Sequence, residues 1–324
     1  MSADERPAKR AREEDTPAPE VTRSPDYWLE DGSIVLQVET TQFRVAKTTL
    51  AKHSVVFRDM LSFPLPADEP LLEGCPIVVL SGDSAVDWKH LLDAMHPNQC
   101  FLVEDHPSMA QLSAVLRLST KYQIPLFRQP ALDRLREHYP STLEGRDKIR
   151  EQFPKGSRLG PAQKVIPLAR ECGVFSVLPT AFYHAAIDCA KQEIGDDRNL
   201  LSGLSERDQL ICYRGHLRMI KANKQRLLQW LGSRNTGCAP CAACTQTESC
   251  KTIAADKLEQ HVASNGWLSA VTNSWQAPSS SGFCAACAAA GKTFFEESRK
   301  ELWDKLPSYF DLPAWDELLR MDAE

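Results

Sequence analysis

Residues Asp31 to Leu61 read DGSIVLQVETTQFRVAKTTLAKHSVVFRDML. Asp31-Gly32 is a turn signal. Ile34, Leu36 and Val38 then alternate with Val35, Gln37 and Glu39, the two-residue period of a strand with one buried face. Beyond Thr40-Thr41, Phe43-Arg44-Val45 reads as the second strand of a hairpin. From about Thr48 the period lengthens. Leu50, Ser54, Phe57 and Leu61 share one face of a helix, and Pro64 and Pro66 end it.

Working outward, Ile77-Val78-Val79-Leu80 is a continuous apolar run of the kind found in buried strands. Ser81-Gly82-Asp83-Ser84 supplies a turn and a candidate N-cap. The next helix carries Trp88, Leu91, Leu92 and Met95 on one side, and Pro97 closes it. Ser108 caps another, with Met109, Leu112, Leu116 and Tyr122 as its stripe, and Pro125 stops that one. Helices dominate the rest. Clear cases are Pro161–Cys172, followed by Gly173, and Ser205–Leu231, followed by Gly232. Ser205 and Asp208 make a loose capping box.

This order of elements, with Asp31, Phe43, Leu50, Ser54 and Phe57 at their spacings, resembles the opening of BTB/POZ domains. Ile77–Leu80, the helix ending Leu91-Leu92-Asp93-Ala94-Met95 and the helix Met109–Tyr122 fall where that family has its later elements. The resemblance spans about residues 26–140. It departs at Ala46, where the family usually has histidine, at His96-Pro97, which replaces a tyrosine-containing turn, and in the unusual stretch 97–107. It implies an α+β fold with a small sheet and surrounding helices. It also implies a homodimer or a pairing with another BTB protein, and no catalysis.

Residues 1–25 combine Pro7, Pro17, Pro19 and Pro25 with many charges and almost nothing large and apolar, so a disordered tail is expected. Within it Lys9, Arg10 and Arg12 form a short basic cluster that fits nuclear import. The bland alternative is a solvated charged tail. No apolar run approaches the roughly 20 residues of a membrane helix, and the start lacks the apolar core of a secretory signal. The nucleus or cytoplasm is the expected location, with no membrane partner. The chain of 324 residues is 25% charged with a net charge of -5. That balance gives no electrostatic argument for nucleic acid.

Of the 11 cysteines, Cys75, Cys100, Cys172, Cys189 and Cys212 are scattered among apolar or helical patterns and read as small buried hydrophobes. The other six cluster: Cys238, Cys241 and Cys244 in a double C-x-x-C, Cys250 shortly after, then Cys284 and Cys287. Paired C-x-x-C spacing lets thiolates converge on one tetrahedral metal, so four of these six could ligate one structural zinc. Cys284 and Cys287, opening a helix over Ala288–Trp303, form the surest pair. A packed thiol cluster without metal stays open. Redox chemistry has less support, because the βαβ setting it needs is absent.

The segment Trp303-Asp-Lys-Leu306-Pro307-Ser-Tyr-Phe310-Asp-Leu312-Pro313-Ala-Trp315 is similar to the closing segment of BTB proteins abundant in mushroom-type fungi. No Walker A loop, G-x-G-x-x-G, H-E-x-x-H or G-x-S-x-G occurs, and no enzyme is expected. The organisation expected is a tail over 1–25, a BTB/POZ domain over 26–140, a mainly helical region over 141–232 and a cysteine-containing module with aromatic tail over 233–324. The function expected is a dimerising scaffold or adaptor for protein partners whose identity the residues do not show. One alternative is a substrate receptor that binds a cullin through helices near 85–140, which the His96-Pro97 turn weakens. Another is a zinc-dependent nucleic-acid binder, for which Arg234, Lys251, Lys257 and Lys292 are too few and too scattered.

Overall fold

The computed structural model describes residues 20–64, 70–96, 107–152, 159–190, 200–232, 239–263 and 282–322. The cluster at Lys9, Arg10 and Arg12 lies outside them, as do Cys100 and Cys238.

Five strands form one sheet in the order β1-β3-β2-β5-β4. They are β1 (Thr22–Trp28), β2 (Ile34–Val38), β3 (Thr41–Val45), β4 (Leu71–Leu72) and β5 (Cys75–Val79). The hairpin is as the alternation predicts: β2 and β3 run antiparallel, with Ile34 opposite Val45 and Leu36 opposite Phe43. β5 joins the other side of β2 in parallel. With a neighbour on each edge, and helices packed over the sheet, β2 buries Val35 as completely as Ile34 and Leu36. The expected polar face is therefore lost at that position.

Strand structure begins at Thr22, inside the stretch expected to be a tail. β1 pairs parallel with β3 at the sheet edge, and its register shifts between Arg23 and Trp28. That irregularity spans Pro25, which has no N–H to donate and is tolerated only at an edge or bulge. The expected tail and the first strand therefore overlap over residues 22–25.

The helix expected from Thr48 to Leu61 is two helices, α1 (Lys47–His53) and α2 (Val55–Ser62), broken at Ser54. Ser54 takes an extended backbone and caps α2: its Oγ accepts the Phe57 N–H at 3.0 Å and donates to the Tyr122 carbonyl at 2.6 Å. α3 (Ala85–Met95), α4 (Met109–Lys121) and α5 (Pro125–His138) follow. Ser84 sits at the N-cap of α3 but its side chain makes no cap bond. The Glu39 carboxylate accepts the Ala85 N–H instead, at 3.0 Å, so a residue of the hairpin turn holds the start of that helix. α4 has a full capping box from Ser108 and Gln111. Pro125 stands at the first turn of α5, where a missing N–H is harmless. It opens the next helix as well as marking the end of the last.

The helical region comprises α6 (Leu143–Gln152), α7 (Ala162–Glu171), a 3-10 turn at Phe175–Val177, α8 (Leu178–Ala190) and α9 (Glu206–Leu231). Beyond it lie α10 (Thr247–Ala263), α11 (Ala285–Asp304), α12 (Leu306–Tyr309) and α13 (Trp315–Met321). One continuous apolar core runs from Tyr27 through Trp88, Leu132, Phe182 and Trp303 to Phe310. The aromatic closing segment thus belongs to the main core. Phe310 stacks on Phe182 and Trp303 on Trp315. The Asp322 carboxylate accepts the backbone amides of Phe175 and Ser176 at 2.5 and 3.1 Å and pairs with Arg136 at 3.2 Å, tying α13 to α5 and the 3-10 turn. Among the described residues no helix is long and apolar enough to cross a membrane.

Candidate functional sites: an interaction domain and a thiol cluster

Four of the five positions that carry the BTB resemblance make the fold. Phe43, Leu50, Ser54 and Phe57 are all buried. Phe57 stacks on Tyr122 at 4.9 Å and meets Trp88 edge-on at 5.8 Å. Beneath these rings lies Asp83, a buried carboxylate. It accepts the Trp88 indole N–H at 2.8 Å and the Tyr122 hydroxyl, and pairs with Lys121. A buried charge is tolerated only when partnered in this way, and these contacts tie the start of α3 to the end of α4. Sequence reading placed Asp83 in a turn and missed its inward role. The signal was Lys121-Tyr122, far along the chain. Asp31 differs from the other four: it is an exposed turn residue. The constraint next to it is Gly32, where a Cβ would stand 2.9 Å from the Leu29 carbonyl and 2.6 Å from the Arg44 side chain. Ala46, in the place of the family's histidine, is the N-cap of α1 and offers no side-chain bond. At the other departure, His96 lies against Tyr27.

The same unit leaves several large apolar side chains in solvent. Phe63, Leu71, Val79, Val86 and Leu126 are each more than half exposed. Leu71 and Val79 lie on the edge pair β4/β5, and Val86 on the first turn of α3. Val86 also borders an open groove of about 610 Å³ between α3, α4 and α7.

The second site is built from the starts of two helices. Cys250 lies in the first turn of α10, with Cys244 in the turn before it. Cys284 is the N-cap of α11 and Cys287 follows within its first turn. The sulfurs of Cys244, Cys250, Cys284 and Cys287 lie within 4.8 Å of one another, with Cys244 and Cys284 3.8 Å apart. A four-sulfur group of this size can hold a metal ion. Cys284 and Cys287, expected to be the surest pair, are both in it. Their helix begins at Ala285, three residues earlier than its apolar pattern suggested. Cys241 stands beside the group, its Sγ 3.7 Å from that of Cys287 and its backbone N–H donating to the same sulfur at 3.3 Å. Cys250 Sγ accepts the Cys284 N–H at 3.4 Å.

The local fields differ from thiol to thiol. The backbone amides of Cys287 and Thr245 draw the Cys284 thiol down to about 6. Burial pushes Cys287 up. The Cys284 amide favours the Cys250 thiolate, yet burial and the facing thiols leave its pKa raised. Neighbouring sulfurs cannot all ionise without a compensating positive charge.

Among the described residues little apolar packing surrounds this group. Its core is Cys250, Cys284 and Cys287, flanked by Cys241, Cys244, Phe283 and Ala286. Beside it a small cluster of Trp230, Leu231, Ala239 and Ala254 joins the end of α9 to α10. Among the described residues no basic face accompanies it. Lys251 pairs with Glu248 at 2.8 Å, Lys292 with Glu296 at 3.8 Å, and Lys257 lies over the Phe283 ring. Of the cysteines read as buried hydrophobes, Cys75, Cys172 and Cys212 are buried and Cys189 is half-buried.

No curated protein and no solved structure shows significant similarity to the chain. Residues 31–138 match the family model of the BTB/POZ domain, the stretch that holds β2 to β5 of the sheet, the aromatic cluster and the helix pair described above. The chain therefore carries a BTB/POZ domain, a small sheet wrapped by helices, followed by a helical C-terminal region.

Proposed function

We propose that the protein is a non-enzymatic adaptor that self-associates through its BTB/POZ domain and presents its helical region to other proteins. The observation that carries the reading is the match over residues 31–138, a module of protein interaction. The exposed apolar side chains of that unit support it. Phe63, Leu71 and Val79 are the kind of surface a second copy covers, since a stable interface wants apolar anchors and about 800 Å² from each partner. Sedimentation equilibrium on the full chain at tens of micromolar tests it. A species of twice the 36.2 kDa chain mass is expected, and Leu71→Glu with Val79→Glu should weaken it. A strict monomer at that concentration overturns the dimer.

A second reading, a substrate receptor of a cullin-based ubiquitin ligase, draws support from the groove between α3, α4 and α7 with Val86 exposed at its rim. Binding of a purified cullin N-terminal domain, lost in Val86→Glu, is the outcome that favours it.

The cofactor that suits the thiol cluster is one structural zinc per chain. Four thiolates close a tetrahedral shell and leave no position for substrate, which agrees with an adaptor and not with a metalloenzyme. Zinc by elemental analysis of protein purified without added metal is the measurement. Metal-free protein that is fully folded overturns it.

A further inference from the structure

We infer that the metal ligands are Cys244, Cys250, Cys284 and Cys287, that Cys241 is an outer-shell residue, and that the ion staples the amino ends of α10 and α11 together. This rests on the zinc reading above.

The case begins with dimensions. Zinc–sulfur bonds of about 2.3 Å in a tetrahedron put neighbouring sulfurs about 3.8 Å apart. Cys244 and Cys284 stand at 3.8 Å, and all four sulfurs lie within 4.8 Å of one another. Small side-chain rotations close the remainder. Cys241 stands outside this set of four and reaches the group through Cys287.

Charge is the second consideration. Four thiolates around a doubly positive ion leave a net charge of about -2, which burial makes costly unless donors face the sulfurs. Those donors are present. Cys250 sits in the first turn of α10, 17 residues long, and Cys284 and Cys287 at the start of α11, 20 residues long. The positive ends of two helix dipoles therefore converge on the site. The Cys284 N–H points to Cys250 Sγ and the Cys241 N–H to Cys287 Sγ, the pattern by which an outer shell orients ligands and spreads their charge. Cys241 supplies its donor from the backbone, so its thiol is not required for that role.

The spacing gives the staple its mechanical meaning. Cys244 and Cys250 are separated by five residues, whereas 33 residues lie between Cys250 and Cys284. A metal closing that excursion removes much of the freedom of the intervening chain. At its far end α11 is held differently, by Arg299 paired to Asp147 of α6 and by Leu302 and Trp303 in the main core. The ion and the core thus hold opposite ends of one helix.

The test uses the full chain purified without added metal. Zinc is measured per chain, and cobalt(II) is exchanged into the site to report ligand type by its charge-transfer and ligand-field bands. About one zinc and a four-thiolate cobalt spectrum are expected. Cys241→Ser should retain the metal with affinity reduced by no more than roughly tenfold. Cys244→Ser, Cys250→Ser, Cys284→Ser and Cys287→Ser should each lose it. Because a ligand variant can misfold, the wild-type protein is also alkylated and mapped by mass spectrometry. Cys241 should label while the four ligands are protected, and all five should label after chelation. No zinc and no cobalt spectrum overturns the zinc reading itself. Metal present, but with Cys241 protected and one of the four labelled, leaves zinc standing and overturns this ligand set.

Discussion

Around Trp88 the buried side chains are large and apolar: Phe43, Phe57, Leu91, Leu92 and Leu116 fill the space between sheet and helices. Around Cys250 they are sulfur atoms with Phe283 and Ala286 at the edge. The first kind of core is non-directional and gains stability with every apolar surface removed from water. The second buries little apolar area among the described residues and carries groups that repel one another when ionised. One region should fold without help, while the other should need a positive centre to become a core at all. α11 joins them, as α9 does, with Cys287 in its first turn and Leu302 and Trp303 in its last.

The sharpest way to test the first half of that contrast is Trp88→Ala. Trp88 is fully buried, contacts Phe57 and Tyr122, and donates to Asp83. Truncating such a side chain costs about 3–5 kcal/mol, and Asp83 loses a donor as well. Denaturant unfolding followed by circular dichroism should show the loss as a lowered midpoint for the whole of the main core. A loss under about 1 kcal/mol would mean that the aromatic cluster is not what holds this region.

Next in size is Gly215→Ala in the middle of α9. An added Cβ would stand 2.2 Å from the Phe310 ring and 3.1 Å from the Tyr309 carbonyl. Phe310 is fully buried against Phe182, so it cannot swing away. Overpacking of this kind costs about 1–3 kcal/mol, against the usual gain of alanine over glycine inside a helix. A raised melting temperature would show that α12 docks less tightly on α9 than the contact implies.

How far these two regions were legible in the sequence follows from the same contrast. The hairpin, the order of α3 and α4 and the stripe of Leu112 and Leu116 were legible because apolar period and buried face coincide. The break at Ser54 was not, since Leu50 and Phe57 both face the core and their spacing suits one helix as well as two. It becomes visible only through the Tyr122 carbonyl, 68 residues away. β1 was hidden by Pro25, whose local meaning is a breaker and whose tolerance comes from the edge position. In the thiol region the C-x-x-C at Cys284 and Cys287 announced itself. The choice of Cys244 and Cys250 as the facing pair depends on where the chain returns after Ala263, and no periodicity encodes that.

Chelation separates the regions directly. With zinc removed, amide exchange should accelerate over the described parts of 239–304, most at the first turns of α10 and α11, because metal affinity is linked to folding. Amides of β2, β3 and α4 should keep their protection. Equal loss in both regions would show that the main core depends on the ion, and loss in neither would leave the sulfurs as an ordinary packed cluster.

The smallest effect asks whether acid can tell the regions apart. His216 on α9 faces the Ala186 carbonyl of α8 at 3.3 Å. Burial lowers its pKa below the ordinary histidine value, more than that carbonyl raises it. The neutral ring is therefore favoured in the folded state. Its contribution to stability is fully present above the unfolded value, about 6.5, and is lost as pH falls through the lower folded value. Acid would also act on the proposed zinc site, but by another route, since protonating its thiolates would release the metal. A single melting curve at pH 5.5 mixes the two. Comparing wild type with His216→Gln at pH 7.5 and pH 5.5 removes the mixture, because both proteins carry the same cysteines and distant effects cancel in the difference. Falling pH should destabilise wild type more than the variant, so the gap between them should shift in the variant's favour. If acid lowers both stabilities equally, His216 plays no part, and the acid sensitivity lies elsewhere in the molecule.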